Sequence, residues 1–103
     1  MAVYVDQARN PLGRMIMCHM MADTIGELHA MADRIGLQRR WFQPRSTPHY
    51  DLSVSRRALA VRAGALEIDR RKVVEIIRRI QADPASFYQA TTTPAPLQED
   101  LFS

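Results

Sequence analysis

The chain has 103 residues but only one cysteine, Cys18, and only one lysine. A single thiol excludes an internal disulfide and a zinc site built from several cysteines. No apolar run approaches the length of a membrane span, and the first residues lack the basic segment and long apolar stretch of a secretion signal. We therefore expect a soluble, cytoplasmic protein that makes no membrane contact.

Arginine is abundant, since it supplies 13 of the 14 basic residues. Residues 1–89 hold all 14 basic residues against nine acids, a formal charge of +5, and residues 90–103 carry −2. The arginine fork suits phosphate oxygens, so a polyanionic partner such as DNA or RNA is one expectation, and an ordinary solvated surface is an equally good one. The arginines expected to grip phosphates are Arg39, Arg40, Arg45, Arg56 and Arg57.

Residues 1–89 read as one small basic domain. Apolar and β-branched segments predict strands at 2–5, 14–21, 49–52 and 65–68, with a turn at 10–13 and a possible short strand at 41–42. Helices are expected after Thr24, which forms a capping box with Glu27, after Ser53 or Ser55, and after Asp69, with a last helical turn at 84–88. This alternation predicts an α/β fold: a small layered domain with a mostly parallel, short-stranded sheet and three main helices.

Four polar residues are expected to meet at one rim of this sheet. Asp6 ends the first predicted strand, and His19 ends the apolar run of the second. His49 and Asp51 lie two residues apart in an extended segment, which puts their side chains on the same side. Since clefts in open α/β sheets lie beyond strand ends, this rim is the predicted site.

Two chemistries suit such a rim. In one, Asp6, His49 and Asp51 hold a divalent metal that activates water against a phosphodiester. In the other, His49 is a general acid or base without metal, and the candidate catalytic residues are His19, His49 and Asp51. The structural alternative is that these histidines only pack and the acids only cap. Trp41 and Phe42 are either base-stacking residues or anchors of a long loop.

Residues 89–96 have no apolar period, two prolines and three threonines, which predicts an extended, disordered tether. It is followed by Gln98-Glu99-Asp100-Leu101-Phe102, a peptide similar to the motif by which bacterial replication and repair proteins dock on the DNA sliding clamp. In that resemblance, Leu101 and Phe102 enter an apolar pocket and Gln98 bonds at its rim, while Asp100 fills the acidic position. The alternative is an end that folds back onto the domain.

Further blocks of sequence carry a second resemblance. They are Val3-Tyr4-Val5-Asp6, Gly13-Arg14, His19, Ala22-Asp23, Glu27-Leu28-His29-Ala30, Ile35-Gly36, Arg40-Trp41-Phe42, His49-Tyr50-Asp51, Arg57 and Gly64-Ala65. Over residues 2–80 the chain resembles a bacterial and phage family designated domain of unknown function 4031. The resemblance implies no activity or ligand, but the family pattern repeats the three histidines, Asp6, Asp51 and an arginine pair, which hints at a polar site.

These observations together favour an accessory protein of bacterial or phage DNA replication or repair. Its tail would dock on the sliding clamp, and its folded domain would bind or process nucleic acid. One alternative is a clamp competitor or inhibitor that needs no rim site. Another is a small metal-dependent phosphoesterase or nuclease unrelated to the clamp.

Overall fold

The computed structural model describes residues 2–45 and 47–89, with only the backbone described for Gln89. The predicted tether and clamp-like peptide lie outside these residues. The strands are β1 (Val3–Val5), β2 (Asn10–Leu12), β3 (Met15–Ala22), β4 (Tyr50–Ser53) and β5 (Leu66–Glu67). The helices are α1 (Ile25–Arg34), α2 (Val54–Arg62), α3 (Arg70–Ala82) and α4 (Pro84–Gln89), with a 3-10 turn at Arg39–Trp41. The α/β class and its three longer helices are as predicted.

The sheet is organised around β3. Strands β1 and β2 pair antiparallel with one edge of β3, and β4 pairs antiparallel with the other. Among the strands of residues 2–45 and 47–89, only β5 runs parallel to its neighbour, β1. The sheet is therefore mixed, and the prediction of a mostly parallel sheet is wrong.

A missed hairpin explains this error. Asn10–Leu12, predicted as a turn, is an exposed strand that pairs with the start of β3. The turn itself is at Gly13, whose φ of 60° is the left-handed conformation that glycine adopts without a Cβ penalty. Because β1, β2 and β3 follow one another with no helix between them, no crossover makes them parallel.

The predicted helix starts are confirmed by their caps. The Thr24 side chain accepts a hydrogen bond from the Glu27 backbone at 3.3 Å and donates one to its carboxylate at 2.8 Å. The Ser53 hydroxyl accepts from the Arg56 backbone at 3.3 Å, and the Asp69 carboxylate accepts from the Lys72 backbone at 2.9 Å. Each cap satisfies a backbone N–H that has no partner inside its helix.

Buried side chains cover one face of the sheet along β3 and β4. Cys18 pairs with Leu52 and Met20 with Tyr50, and all four side chains are buried. Helices α1 and α2 both contact β3. Since side chains alternate along a strand, the intervening residues His19 and Asp51 lie on the opposite face.

The long segment between α1 and β4 returns to the sheet through Gln43, which exchanges backbone hydrogen bonds with His49 at 2.9 and 3.0 Å. The short strand predicted at 41–42 is wrong, because Trp41 closes a 3-10 turn through its backbone N–H, which bonds to Gln38. Trp41 is 45% exposed, whereas Phe42 is half-buried against the core. None of the helices within residues 2–45 and 47–89 has the length and apolar character needed to cross a membrane.

Candidate metal centre

A row of polar side chains crosses three neighbouring strands. His19 on β3 lies directly opposite Asp51 on β4. Asp6 follows the last residue of β1, and its backbone N–H donates to the His19 carbonyl at 3.1 Å. Directly opposed residues of an antiparallel pair present their side chains on the same face. Strand pairing therefore places Asp6, His19 and Asp51 side by side, and His49 joins them from two residues before Asp51.

Three of these side chains converge on one point. The Asp51 Oδ1 atom lies 3.5 Å from His49 Nε2 and 4.0 Å from His19 Nε2. One ligand atom from each of the three residues lies within 4.8 Å of the other two. The two imidazoles meet edge to face, with ring centres 5.3 Å apart. His19, His49 and Asp51 converge as expected, but they do so on one face of the sheet, because His19 and Asp51 are paired inside β3 and β4, and not at a rim beyond the strand ends.

Both imidazoles are oriented through their Nδ1 atoms. His19 Nδ1 lies 2.7 Å from Asp6 Oδ2, and His49 Nδ1 lies 2.7 Å from the Thr47 carbonyl oxygen. A carbonyl can only accept, so His49 must donate from Nδ1, and a carboxylate imposes the same role on His19. When the rings are neutral, this arrangement leaves the Nε2 lone pair of each one available to a ligand.

The carboxylates have different roles in this geometry. Asp6 Oδ1 accepts from the backbone N–H groups of His19 at 2.9 Å and Ala8 at 3.2 Å, while Oδ2 meets the His19 ring. Asp51 Oδ2 accepts from the Gln43 amide at 2.9 Å. Both Asp6 oxygens are therefore engaged, whereas Asp51 Oδ1 faces the two imidazoles. The arrangement favours His19, His49 and Asp51 as ligands, with Asp6 behind His19, over the predicted set of Asp6, His49 and Asp51.

The charges of the cluster favour a cation at this point. Burial tends to raise the pKa of Asp6, but the hydrogen bonds from the His19 ring and backbone outweigh it, so the pKa is lowered overall. The hydrogen bond to Asp6 raises the pKa of His19 against the opposing effect of burial, and the charges of Asp6 and Asp51 add to the rise. The two carboxylates thus favour positive charge on or beside His19, whether it comes from a proton or a metal ion.

Comparison with family models gives a match over residues 3–80, to "Protein of unknown function (DUF4031)". The chain belongs to this family. All four residues of the polar row lie inside the part shared with DUF4031, and the clamp-like peptide lies outside it. Comparison with curated proteins and with solved structures gives no match.

The predicted phosphate-binding arginines fall into two groups. Arg57 donates to the Asp6 carbonyl at 3.1 Å and to Glu67 at 2.9 Å, and Arg56 donates to the Ile35 carbonyl at the end of α1. Arg39 forms a two-pronged pair with Asp33 at 2.9 and 3.2 Å. Arg40 and Arg45 are exposed and make no ion pair with the described residues. These last two are therefore the ones free to meet an anionic partner.

The third histidine of the family pattern lies elsewhere. His29 Nδ1 is 2.8 Å from the Tyr50 hydroxyl, and its ring packs edge to face on Phe42 with centres 4.9 Å apart. Burial lowers the pKa of His29, and the nearby Arg39 charge lowers it further. Tyr50 precedes Asp51 in β4 and points to the opposite face, so His29 belongs to the core side of the sheet.

Two residues at the centre were not predicted from sequence. Gln43 holds Asp51, and the Thr47 carbonyl holds His49. The Gln43 contact depends on a loop that folds back onto β4, and no periodicity in residues 37–48 indicates that pairing. The Thr47 contact is local, because Nδ1 of a histidine can reach the carbonyl two residues earlier in a turn, and Pro48 between them indicates such a turn.

Proposed function

We propose that the folded domain binds one divalent metal ion through His19 Nε2, His49 Nε2 and Asp51 Oδ1 and uses it to hydrolyse phosphate ester bonds. The observation that carries this proposal is the occupation of both Nδ1 atoms by fixed acceptors. Metal-binding histidines nearly always donate their other ring N–H to a carboxylate or a backbone carbonyl, which fixes the ring and raises its basicity. Here His19 has the carboxylate acceptor and His49 has the backbone carbonyl acceptor.

The separations between the ligand atoms are somewhat longer than a transition-metal site requires, so the ligands must move closer together to bind the metal. Ligand bonds of about 2.1 Å in a tetrahedral site put ligand atoms about 3.4 Å apart. The separations from Asp51 Oδ1 are 3.5 Å to His49 and 4.0 Å to His19, and all three ligand atoms lie within 4.8 Å of one another, so the wider separations must shorten by up to about 1.4 Å. Two imidazoles and one carboxylate suit Zn²⁺, Mn²⁺ or Fe²⁺ better than Ca²⁺, which prefers oxygen ligands.

Three protein ligands leave at least one coordination position for water. A divalent ion held at this centre would lower the pKa of a bound water toward about 7 and so supply a nucleophile, whose oxygen would bond to phosphorus as the ester P–O bond breaks and the alcohol leaves. Asp6 keeps His19 in its ligating tautomer, and Gln43 keeps Asp51 turned toward the imidazoles. Arg40 and Arg45, in the loop that carries Gln43, supply positive charge for a phosphate partner such as DNA or RNA.

Hydrolysis of bis(p-nitrophenyl) phosphate by the purified protein tests this function. We expect activity that is lost after treatment with EDTA, restored by Zn²⁺ or Mn²⁺, and abolished by His49→Ala. The matched control is His29→Gln, which alters the histidine outside the centre and should retain activity. Activity that persists in both EDTA and the His49→Ala variant would contradict the metal mechanism; if it is insensitive to EDTA but lost in His49→Ala, the metal-free role of His49 is supported instead.

We also propose that the protein docks on the bacterial DNA sliding clamp through Gln98-Glu99-Asp100-Leu101-Phe102. The sequence match supports this proposal, and the peptide lies outside the described residues. Two apolar anchors of this size contribute about 1.5–3 kcal/mol each on burial, offset by the ordering of the tail, so a single peptide should bind at roughly micromolar strength. Docking would bring the phosphoesterase domain to replicating or repaired DNA.

Clamp pull-down with the full chain tests the second proposal. The double variant Leu101→Ala with Phe102→Ala should lose binding, while Glu99→Ala, at the motif's unrestricted position, should retain it. Equal capture of the double variant and the unchanged protein would contradict docking through this peptide. If the double variant abolishes function in cells and His49→Ala does not, the protein is a clamp competitor and not an enzyme.

A further inference from the structure

A cavity of about 630 Å³ adjoins the candidate metal centre, and we infer that it binds the nucleoside part of a nucleoside monophosphate unit. The inference rests on the proposed function, since it names the substrate class of the same centre. His19 and His49 contribute both to the ligand cluster and to the cavity wall. A phosphate held by the metal would therefore have its organic substituent beside this cavity.

One wall of the cavity is apolar. It is formed by Ala8 between β1 and β2, by Met21 on β3, and by the α3 residues Val73, Val74 and Ile77. Met21 is 3% exposed and fixed in the sheet, whereas Val74 is 37% exposed. Apolar side chains on a helix are normally turned toward the core, so a partly exposed row beside a polar site indicates a ligand surface.

The remaining wall is polar and nearly neutral. Gln7 and Asn10 contribute side-chain amides, and Arg70 is the one arginine or lysine among the described lining residues. The one carboxylate in the lining, Asp6, is engaged by His19 and Ala8. The cavity thus combines apolar surface, amide donors and acceptors, and a single free positive charge.

A nucleoside monophosphate matches these features. A nucleobase has apolar faces for the valine and isoleucine side chains and polar edges for the amides of Gln7 and Asn10. Its phosphate carries the negative charge that Arg70 and a metal ion would attract. The volume lies in the range of about 300–1,000 Å³ typical of small-molecule sites, which suits one nucleotide and not a duplex.

Binding of AMP and of inorganic phosphate to the Zn²⁺-loaded full chain, measured by calorimetry, tests the inference. We expect AMP to bind at least about tenfold more tightly than phosphate, because the base buries apolar surface that phosphate lacks. Val74→Gln should weaken AMP binding about fivefold and leave the affinities for phosphate and Zn²⁺ unchanged. Leu59→Gln is the matched control, since Leu59 is 41% exposed on α2 and does not line the cavity.

Equal affinities for AMP and phosphate, or an equal effect of Val74→Gln on both, would overturn the inference while leaving the metal site intact. Failure of Zn²⁺ to bind would instead overturn the proposed function, and the effect of Val74→Gln on AMP binding to the metal-free chain would still test the cavity. The nucleoside monophosphate unit could come from a free nucleotide or from the end of a DNA strand. Competition between AMP and a short oligothymidylate with a terminal phosphate distinguishes these two sources. Competition equal to that of AMP identifies a strand end as the ligand, and absence of competition identifies a free nucleotide.

Discussion

The two faces of strand β4 carry histidines in contrasting surroundings. On one face, His29 bonds to the Tyr50 hydroxyl and packs edge to face against the rings of Tyr50 and Phe42. On the other, His19 and His49 meet the Asp51 carboxylate, and His19 is also bound by Asp6. Tyr50 and Asp51 are consecutive, so the alternation of one strand separates the two environments.

The comparison shows that a histidine's partners, and not its presence in a pattern, indicate its role. Burial lowers the pKa of His29, which favours the neutral ring among aromatic groups, as in ordinary core packing. The Asp6 hydrogen bond raises the pKa of His19, and the cluster attracts positive charge. Only the second environment has the ligand atoms and the fixed tautomers that a metal requires.

The largest expected effect is the loss of metal binding when a ligand of the centre is removed. His49→Ala should weaken Zn²⁺ binding by at least about 100-fold, because removal of a ligand costs more than loss of an outer hydrogen bond, which typically costs 10–100-fold. His29→Gln should bind Zn²⁺ like the unchanged protein. Calorimetric titration of the three proteins measures both effects, and a similar loss in the two variants would remove the distinction between the faces.

A smaller effect is expected when the orienting carboxylate is changed. Asp6→Asn keeps all three ligands but weakens the acceptor for His19 Nδ1, so Zn²⁺ affinity should fall by about 10–100-fold. Competition for Zn²⁺ with a chromogenic chelator measures this affinity. Asp33→Asn is the control, since Asp33 pairs with Arg39 at the surface. Unchanged affinity in Asp6→Asn would show that the Asp6 contact does not support metal binding.

On the core face of β4, we expect a substitution to change the stability of the protein and not its metal binding. Tyr50→Phe removes the hydroxyl that bonds to His29 at 2.8 Å while keeping the ring, so unfolding free energy should fall by about 1 kcal/mol. Urea denaturation measures it in the presence of EDTA. Zn²⁺ affinity should not change, and a parallel loss of metal binding would mean that the two faces are coupled through β4.

The smallest expected effects concern the pH dependence of stability in the metal-free protein, to which His19 and His29 should contribute in opposite directions. The folded-state pKa of His19 is raised above 6.5, so its stabilisation is complete below that pH and is lost as pH rises through the folded value. The folded-state pKa of His29 is lowered, so its contribution is complete above 6.5 and is lost as pH falls through the folded value.

Unfolding measured from pH 5 to 8 tests these signs. The stability difference between the unchanged protein and His19→Gln should shrink as pH rises, and that for His29→Gln should grow. Each change should stay under about 1 kcal/mol because the groups are partly exposed. Slopes of the same sign for both variants would contradict the assignment of their environments.

Local sequence signals predicted the helices and named the four residues of the candidate centre, but they did not fix the strand pairing that brings those residues together. Thr24, Ser53 and Asp69 cap the helices as expected, because a cap depends on residues three apart. The two-residue spacing of His49 and Asp51 predicted their shared side of β4. The position of His19 opposite Asp51 depends on the pairing of strands 32 residues apart, and no local signal fixes that register.

The mixed sheet and the Gln43 contact could not be predicted from the sequence, for a related reason. Asn10–Leu12 contains a proline and is fully exposed, so it has neither the alternation nor the composition of a typical strand, and proline is tolerated there only because β2 lies at an edge. Gln43, in an irregular loop, forms an isolated antiparallel bridge with His49, the residue that precedes β4. Such contacts depend on tertiary structure that residue periodicity does not encode.

Anomalous diffraction at the zinc absorption edge, from crystals of the chain grown with Zn²⁺, tests the central claim most directly. The account predicts one strong peak about 2.0–2.2 Å from His19 Nε2, His49 Nε2 and Asp51 Oδ1, with Asp6 still bound to His19 Nδ1. A structure in which Zn²⁺ is absent from these three atoms, or in which His29 holds it instead, would contradict the account.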